Sequence, residues 1–200
     1  MLVLPDDITL FDVRQQCSVS ARLVPLTREL AATEIDGKWW KIEASQPARD
    51  DEEDHHWVWR KLVGEHRNDL AWEALAVQSS ADEVEGAILY RLDARSQLEV
   101  GKGAIFGDRL ATAPRNRPWL VNSPRFRGVG SALLLAAVRH SYALGLGGRV
   151  ALVSLPSERT REFYVKKGFR LISEDRHGNI MYELPTEAAL SWLKREGNLG

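Results

Sequence analysis

Apolar and polar positions follow few clean periods in the first third of the chain, where one strand is expected over Ser18 to Pro25 and Trp39-Trp40 follow the turn signal Asp36-Gly37. The pattern then sharpens. Trp57 to His66 reads as a helix. Ala71 to Gln78 and Gly86 to Leu92 are short apolar runs on either side of polar Ser79 to Glu85, as in a hairpin. Ala104 to Ala113 supplies a further strand, which Pro114 and Pro118 stop because proline cannot donate to a sheet ladder. Gly128 to Leu144 is almost wholly apolar until Arg139 and closes on Gly145, Gly147 and Gly148, the signature of a long buried helix. Arg149 to Leu155 follows as a strand, and strand, helix, strand at this spacing implies a parallel pair. A second helix runs from Ser157, its N-cap, to Lys167, where Lys166 and Lys167 suit the negative end and Gly168 stops it. Phe169 to Ser173 and Asn179 to Leu184 form a last strand pair, and Pro185 to Lys194 a terminal helix. The expected class is α/β with a mixed sheet.

Composition narrows the function classes. A chain of 200 residues with 44% hydrophobic and 28% charged content fits one globular domain over 1–200. A net charge of -1 gives no general pull toward nucleic acid or an anionic membrane, so neither is expected as a partner. Cys17, the one cysteine, allows no internal disulfide and no cysteine-based zinc site, which points to a reducing interior. Met1 to Asp7 has no cationic lead and no apolar run approaches a membrane span, so a soluble cytoplasmic protein is expected. The acidic run Asp50 to Asp54 reads as a solvated loop, and His55-His56 beside it are not expected to hold a metal.

The candidate chemistry lies in Arg125-Phe126-Arg127-Gly128-Val129-Gly130-Ser131, between a proline-stopped strand and the long apolar helix. The first turn of a helix offers amides without intrahelical partners and a partial positive charge, and both attract phosphate oxygens. Glycines let an anion approach, and Arg125 and Arg127 add charge, so a pyrophosphate suits the turn. Glycines also serve tight helix packing on a sheet, and the pair alone does not decide between these uses. Two other phosphate motifs are excluded. No Gly-Lys-Ser/Thr follows the turn, and Val153-Ser154-Leu155 stands where an acidic ribose ligand would be needed.

The RxxGxG turn of Arg125 to Gly130, followed by Phe163-Tyr164-Val165-Lys166-Lys167-Gly168-Phe169, resembles the paired motifs of the GNAT N-acetyltransferase superfamily, whose second element reads FYxxxGF. The resemblance covers residues 104–184 and leaves the first hundred unassigned. It implies a mostly antiparallel sheet with a central splayed parallel strand pair, flanked by helices. Acetyl-CoA would be the acyl-donor cosubstrate. Its pyrophosphate would be held by backbone amides from Arg127 through Gly128, Val129 and Gly130 to Ser131, its pantetheine and thioester would lie at Leu110, Ala111 and Thr112, and Arg125, Phe126, Ser157 and Phe163 would also bind the cosubstrate. Backbone dipoles already in place would stabilise the charge that grows on the carbonyl oxygen. Tyr164 matches the tyrosine that serves the departing thiolate; it also belongs to a Thr160, Phe163, Tyr164, Lys167 helix face that could be ordinary packing. Ser157 and Thr160 stand where the family often has Asn and Ala, and the loop Pro114 to Pro124 is longer than usual.

An attacking amine must lose a proton, for which Asp108 and Glu73 are candidates, with Glu99 behind them; each could equally be an ordinary strand carboxylate. Trp57 and Trp119, with Trp59, could line an acceptor pocket, although core packing is the expectation for at least two of the three. The acceptor is an amine on a small molecule, peptide or protein, and a homodimer is left open. The reading is direct acetyl transfer to a primary amine without metal. The alternative is a catalytically silent acyl-CoA-binding regulatory or interaction module.

Overall fold

The computed structural model describes residues 7–41 and 46–196, so the Met1 to Asp7 stretch falls outside it except for Asp7. The chain runs β1 (Asp7–Asp12), β2 (Cys17–Pro25), α1 (Arg28–Leu30) leading into a π-helical turn (Ala31–Asp36), α2 (Gln46–Asp50) and α3 (Trp59–His66). Next come β3 (Trp72–Ser79), β4 (Val84–Arg95), β5 (Gly103–Thr112), a 3-10 turn (Pro114–Asn116) and β6 (Phe126–Arg127). It ends with α4 (Val129–Ala143), β7 (Val150–Ser154), α5 (Glu158–Lys166), β8 (Arg170–Glu174), β9 (Ile180–Leu184) and α6 (Thr186–Arg195). The strands are ordered β6-β1-β2-β3-β4-β5-β7-β9-β8. The sheet is mostly antiparallel, and β5 and β7 are its parallel pair. Their register spans Ile105↔Val150 to Gly107↔Leu152, and β5 continues to Thr112.

The chain divides into two compact units, one holding residues 7–89 and 109–134 and the other 90–108 and 135–196. In the first, α1, the π-helical turn and α3 bring Leu26, Ile35, Trp39, Trp59 and Val63 into a core with Ala76, Val84 and Leu89 of β3 and β4. Two devices fix the helices there. Asp36, at the end of the π-helical turn, accepts the N–H groups of Trp59 at 2.8 Å and Arg60 at 3.1 Å, capping a helix that has no cap of its own. Trp39, 1% exposed, donates its indole N–H to the Val84 carbonyl at 3.0 Å, so its burial leaves no polar atom unpaired. Cys17 opens β2 and is exposed.

In the second unit Ile105, Val150, Ala151, Tyr182, Leu184, Trp192 and Leu193 are buried. A polar network holds its loops. Glu183, fully buried on β9, accepts from the Ser96 hydroxyl and from the Gln97 N–H at 2.7 Å. Arg149 donates to the Gly103 carbonyl at 2.8 Å and to Glu99 at 3.0 Å, and Glu99 in turn accepts the first N–H of α6, from Thr186, at 2.8 Å. Burial tends to raise the Glu99 carboxyl, but Thr186 and Arg149 hold it below the usual carboxylate range. Glu99 thus caps the start of α6. Among the described residues no helix is long and apolar enough to cross a membrane.

Candidate functional site

The Arg125 to Ser131 turn is built as a strand that stops and a helix that starts with one residue between them. Phe126 and Arg127 form β6 against Phe11 and Asp12 of β1. Gly128 then takes φ +94, a left-handed value that side chains other than glycine rarely tolerate, and a Cβ there would meet nothing nearer than Leu10 Cδ2 at 4.0 Å. The glycine is therefore required by the backbone, and the space beside it is open. The bond from Ala132 N–H to the Gly128 carbonyl, 2.9 Å, closes the first turn of α4. Helix geometry leaves the amides of Val129, Gly130 and Ser131 ahead of that bond without a carbonyl partner inside the helix. These amides, with the partial charge of a 15-residue helix behind them, can receive an anion.

The two arginines differ. Arg127 is exposed beside the turn, whereas Arg125 pairs with Glu83 and lies with its guanidinium 4.9 Å over the Phe126 ring. The charge of Arg125 is thus matched by Glu83, and that of Arg127 is not so paired among the described residues.

Leu110, Ala111 and Thr112 end β5, Ala111 buried and the other two half-buried. The Thr112 carbonyl is occupied, accepting Arg117 Nη2 at 2.7 Å and Nε at 3.1 Å. Arg117 is 4% exposed and also binds Glu52 at 2.6 Å and Asp54 at 2.7 Å. This corrects the expectation for the acidic run. Asp50 and Asp51 are exposed, but Glu52 and Asp54 are buried because one guanidinium compensates both. Trp119, 46% exposed, donates its indole N–H to Glu52 at 2.6 Å. Trp57 is half-buried with the Arg109 guanidinium 5.1 Å above its ring, and Trp59 is core at 2% exposure. His55 and His56 are exposed, and the described residues contain no group of three metal-ligating side chains.

The other candidates have mixed surroundings. Tyr164 is buried on α5, with the rings of Phe163, Phe169 and Tyr182 centred 5.3, 5.5 and 6.1 Å away. Burial pushes its phenol pKa up, so it keeps its proton at neutral pH and can act as a donor. Ser157 caps α5, accepting the Thr160 N–H at 3.3 Å while its hydroxyl pairs with Thr160 Oγ1 at 2.7 Å. Asp108 on β5 and Glu73 on β3 are half-buried. Sequence reasoning missed Glu85, Arg115 and Asn116, which brace the turn from below; Glu85 closes a polar stretch and Arg115 and Asn116 lie in a polar loop, so nothing along the chain set them apart.

No protein-family model matches the chain, and no curated protein matches it in sequence. Solved structures do share its fold. A nucleotide-linked sugar GNAT, FdhC, solved without ligand, aligns over 96% of this chain and 97% of its own at 13% identity and TM-score 0.57. The PaiA N-acetyltransferase of Thermoplasma acidophilum in complex with coenzyme A aligns over 82% and 98% at 16% identity and TM-score 0.54. AtaTR bound with acetyl-CoA aligns over 86% and 98% at 17% identity and TM-score 0.57.

Proposed function

We propose, for a chain with the GNAT acetyltransferase fold, that it transfers an acetyl group from acetyl-CoA to a primary amine by direct attack on the thioester. The observation that carries this reading is the strand, left-handed Gly128, helix turn: the space beside Gly128 is open, and the first-turn amides of the helix that follows suit a diphosphate. Two structures of similar fold were solved with coenzyme A or acetyl-CoA, which supports the choice of ligand.

In this reading Arg127 and the amides of Gly128 to Ser131 hold the pyrophosphate, and backbone groups at Leu110 and Ala111 orient the thioester. The ammonium first gives a proton to a carboxylate, Asp108 or Glu73, directly or through water. The neutral nitrogen then attacks the carbonyl carbon, and the tetrahedral intermediate collapses with cleavage of the C–S bond. The leaving thiolate accepts a hydrogen bond from the Tyr164 phenol and takes, through solvent, the proton that the amide nitrogen loses. Trp57 and Trp119 are proposed to contact the acceptor.

The test is thiol release from acetyl-CoA across a panel of polyamines, amino acids and lysine peptides. At least one amine should support turnover, and Tyr164→Phe should lower kcat on the order of 10²-fold with little change in KM for acetyl-CoA. Coenzyme A binding without release, for every amine and indifferent to Tyr164→Phe, would favour the silent binding module instead.

A further inference from the structure

The brace beneath the turn begins with a carboxylate in an improbable place. Glu85 lies on β4 with no exposure, between Val84 and Gly86. A buried carboxylate persists only when its oxygens are occupied. Here Arg115 approaches it through Nε and Nη2, both at 3.0 Å, and Asn116 donates Nδ2 to the same carboxylate at 2.9 Å. The backbone carbonyl of Glu85 accepts the Ala113 N–H at 2.8 Å. One residue of β4 therefore collects the chain directly after β5.

Asn116 carries the hold onward. With its Nδ2 facing a carboxylate, its Oδ1 must face a donor, and that donor is the N–H of Phe126 at 2.9 Å. Swapping the two ends would set oxygen against oxygen and N–H against N–H, so the chemistry admits one orientation. A second tie runs from the Arg125 N–H to the Arg115 carbonyl at 3.2 Å. On the next residue of β4, a Cβ on Gly86 would stand 2.5 Å from Val129 Cγ1, so the first residue of α4 seats directly on the strand. Glu85 thus fixes the chain entering the turn and Gly86 the helix leaving it.

We propose that Asn116, oriented by the buried Glu85–Arg115 pair, is the positioning residue that presets the turn amides for the diphosphate of coenzyme A; this rests on reading the turn as the coenzyme A site. Without Asn116 the Phe126 N–H loses its partner and the entry to the turn is held only by β1 and the Arg125 tie, so binding a diphosphate must order the turn further.

Binding of coenzyme A and of pantetheine, which lacks the diphosphate and nucleotide, separates this from general loosening. In Asn116→Ala, coenzyme A should bind roughly tenfold more weakly, with pantetheine within about twofold of the unsubstituted protein. Unchanged coenzyme A affinity, or equal losses for both ligands, would overturn the proposal. Should Asn116→Ala fail to fold, Glu85→Gln keeps the side-chain shape while weakening the hold on Arg115 and Asn116, and is judged by the same two outcomes. If the unsubstituted chain does not bind coenzyme A, the reading of the turn falls and this proposal with it. If that chain binds and Asn116→Ala binds equally well, only the positioning role falls.

Discussion

Glu53 illustrates how neighbours in sequence can have opposite electrostatic fates. Glu52 and Asp54 share the Arg117 guanidinium, while Glu53 is half-buried with its Oε2 lacking a hydrogen-bond partner among the described residues. Burial, then Asp54 and Glu52, push its carboxyl pKa upward. A raised folded pKa means that the folded state holds the proton more tightly, so the stability this group contributes is present below the ordinary value of 4.5 and lost as pH rises through the folded value. Glu53→Gln should therefore stabilise the chain at pH 7, by under about 1 kcal/mol once solvent screening is allowed for. The gain should vanish toward pH 4. Urea unfolding at the two pH values checks it; an equal gain at both would assign the effect to something other than charge. None of this was legible along the chain. The acidic run looks solvated because the cation that allows Glu52 and Asp54 to be buried lies 63 residues from Asp54 in sequence.

At the scale of elements, Gly86 links sheet and helix. Its missing side chain admits Val129 and Leu133, and an added Cβ would come within 2.5 Å and 3.0 Å of their methyl groups and 3.1 Å of the Ala111 carbonyl. Val129 is 2% exposed and β-branched, so it has little room to yield. Gly86→Ala should cost about 1–3 kcal/mol as the start of α4 is pushed off β4. Equilibrium unfolding measures it, and a loss below a few tenths would show that α4 shifts freely. Elements with a strong pattern were readable: α4 by its apolar run, β3 and β4 by paired strand signals, α5 by Ser157 and Gly168. β6 was not, since two residues cannot show a period, and the π-helical turn Ala31–Asp36 has no cap or spacing that marks it. The turn was legible as a glycine pair beside a helix, but its brace was not, because Glu85 and Asn116 meet across 31 residues.

On the scale of the whole chain, neither compact unit is one continuous segment. β4, β5 and α4 each begin in one compact unit and end in the other, so no single cut of the chain releases either unit complete. A chain ended after Leu134 would lose the second half of α4 together with β7, β8 and β9. It should show no cooperative thermal transition by circular dichroism; a sharp one matching the full chain would mean that the first unit folds alone. At this scale the sequence resemblance reached furthest, since the mixed, mostly antiparallel sheet and its parallel pair were both expected from motifs in the second half. The topology of the first half came only with the structure. One exposed residue there has a practical bearing on every experiment above. Cys17 is the only thiol in the chain and opens β2 on the surface. A dye or spin label can be attached at that one point without removing another cysteine. A thiol-trapping reagent likewise counts released coenzyme A against a fixed background of one thiol per protein molecule.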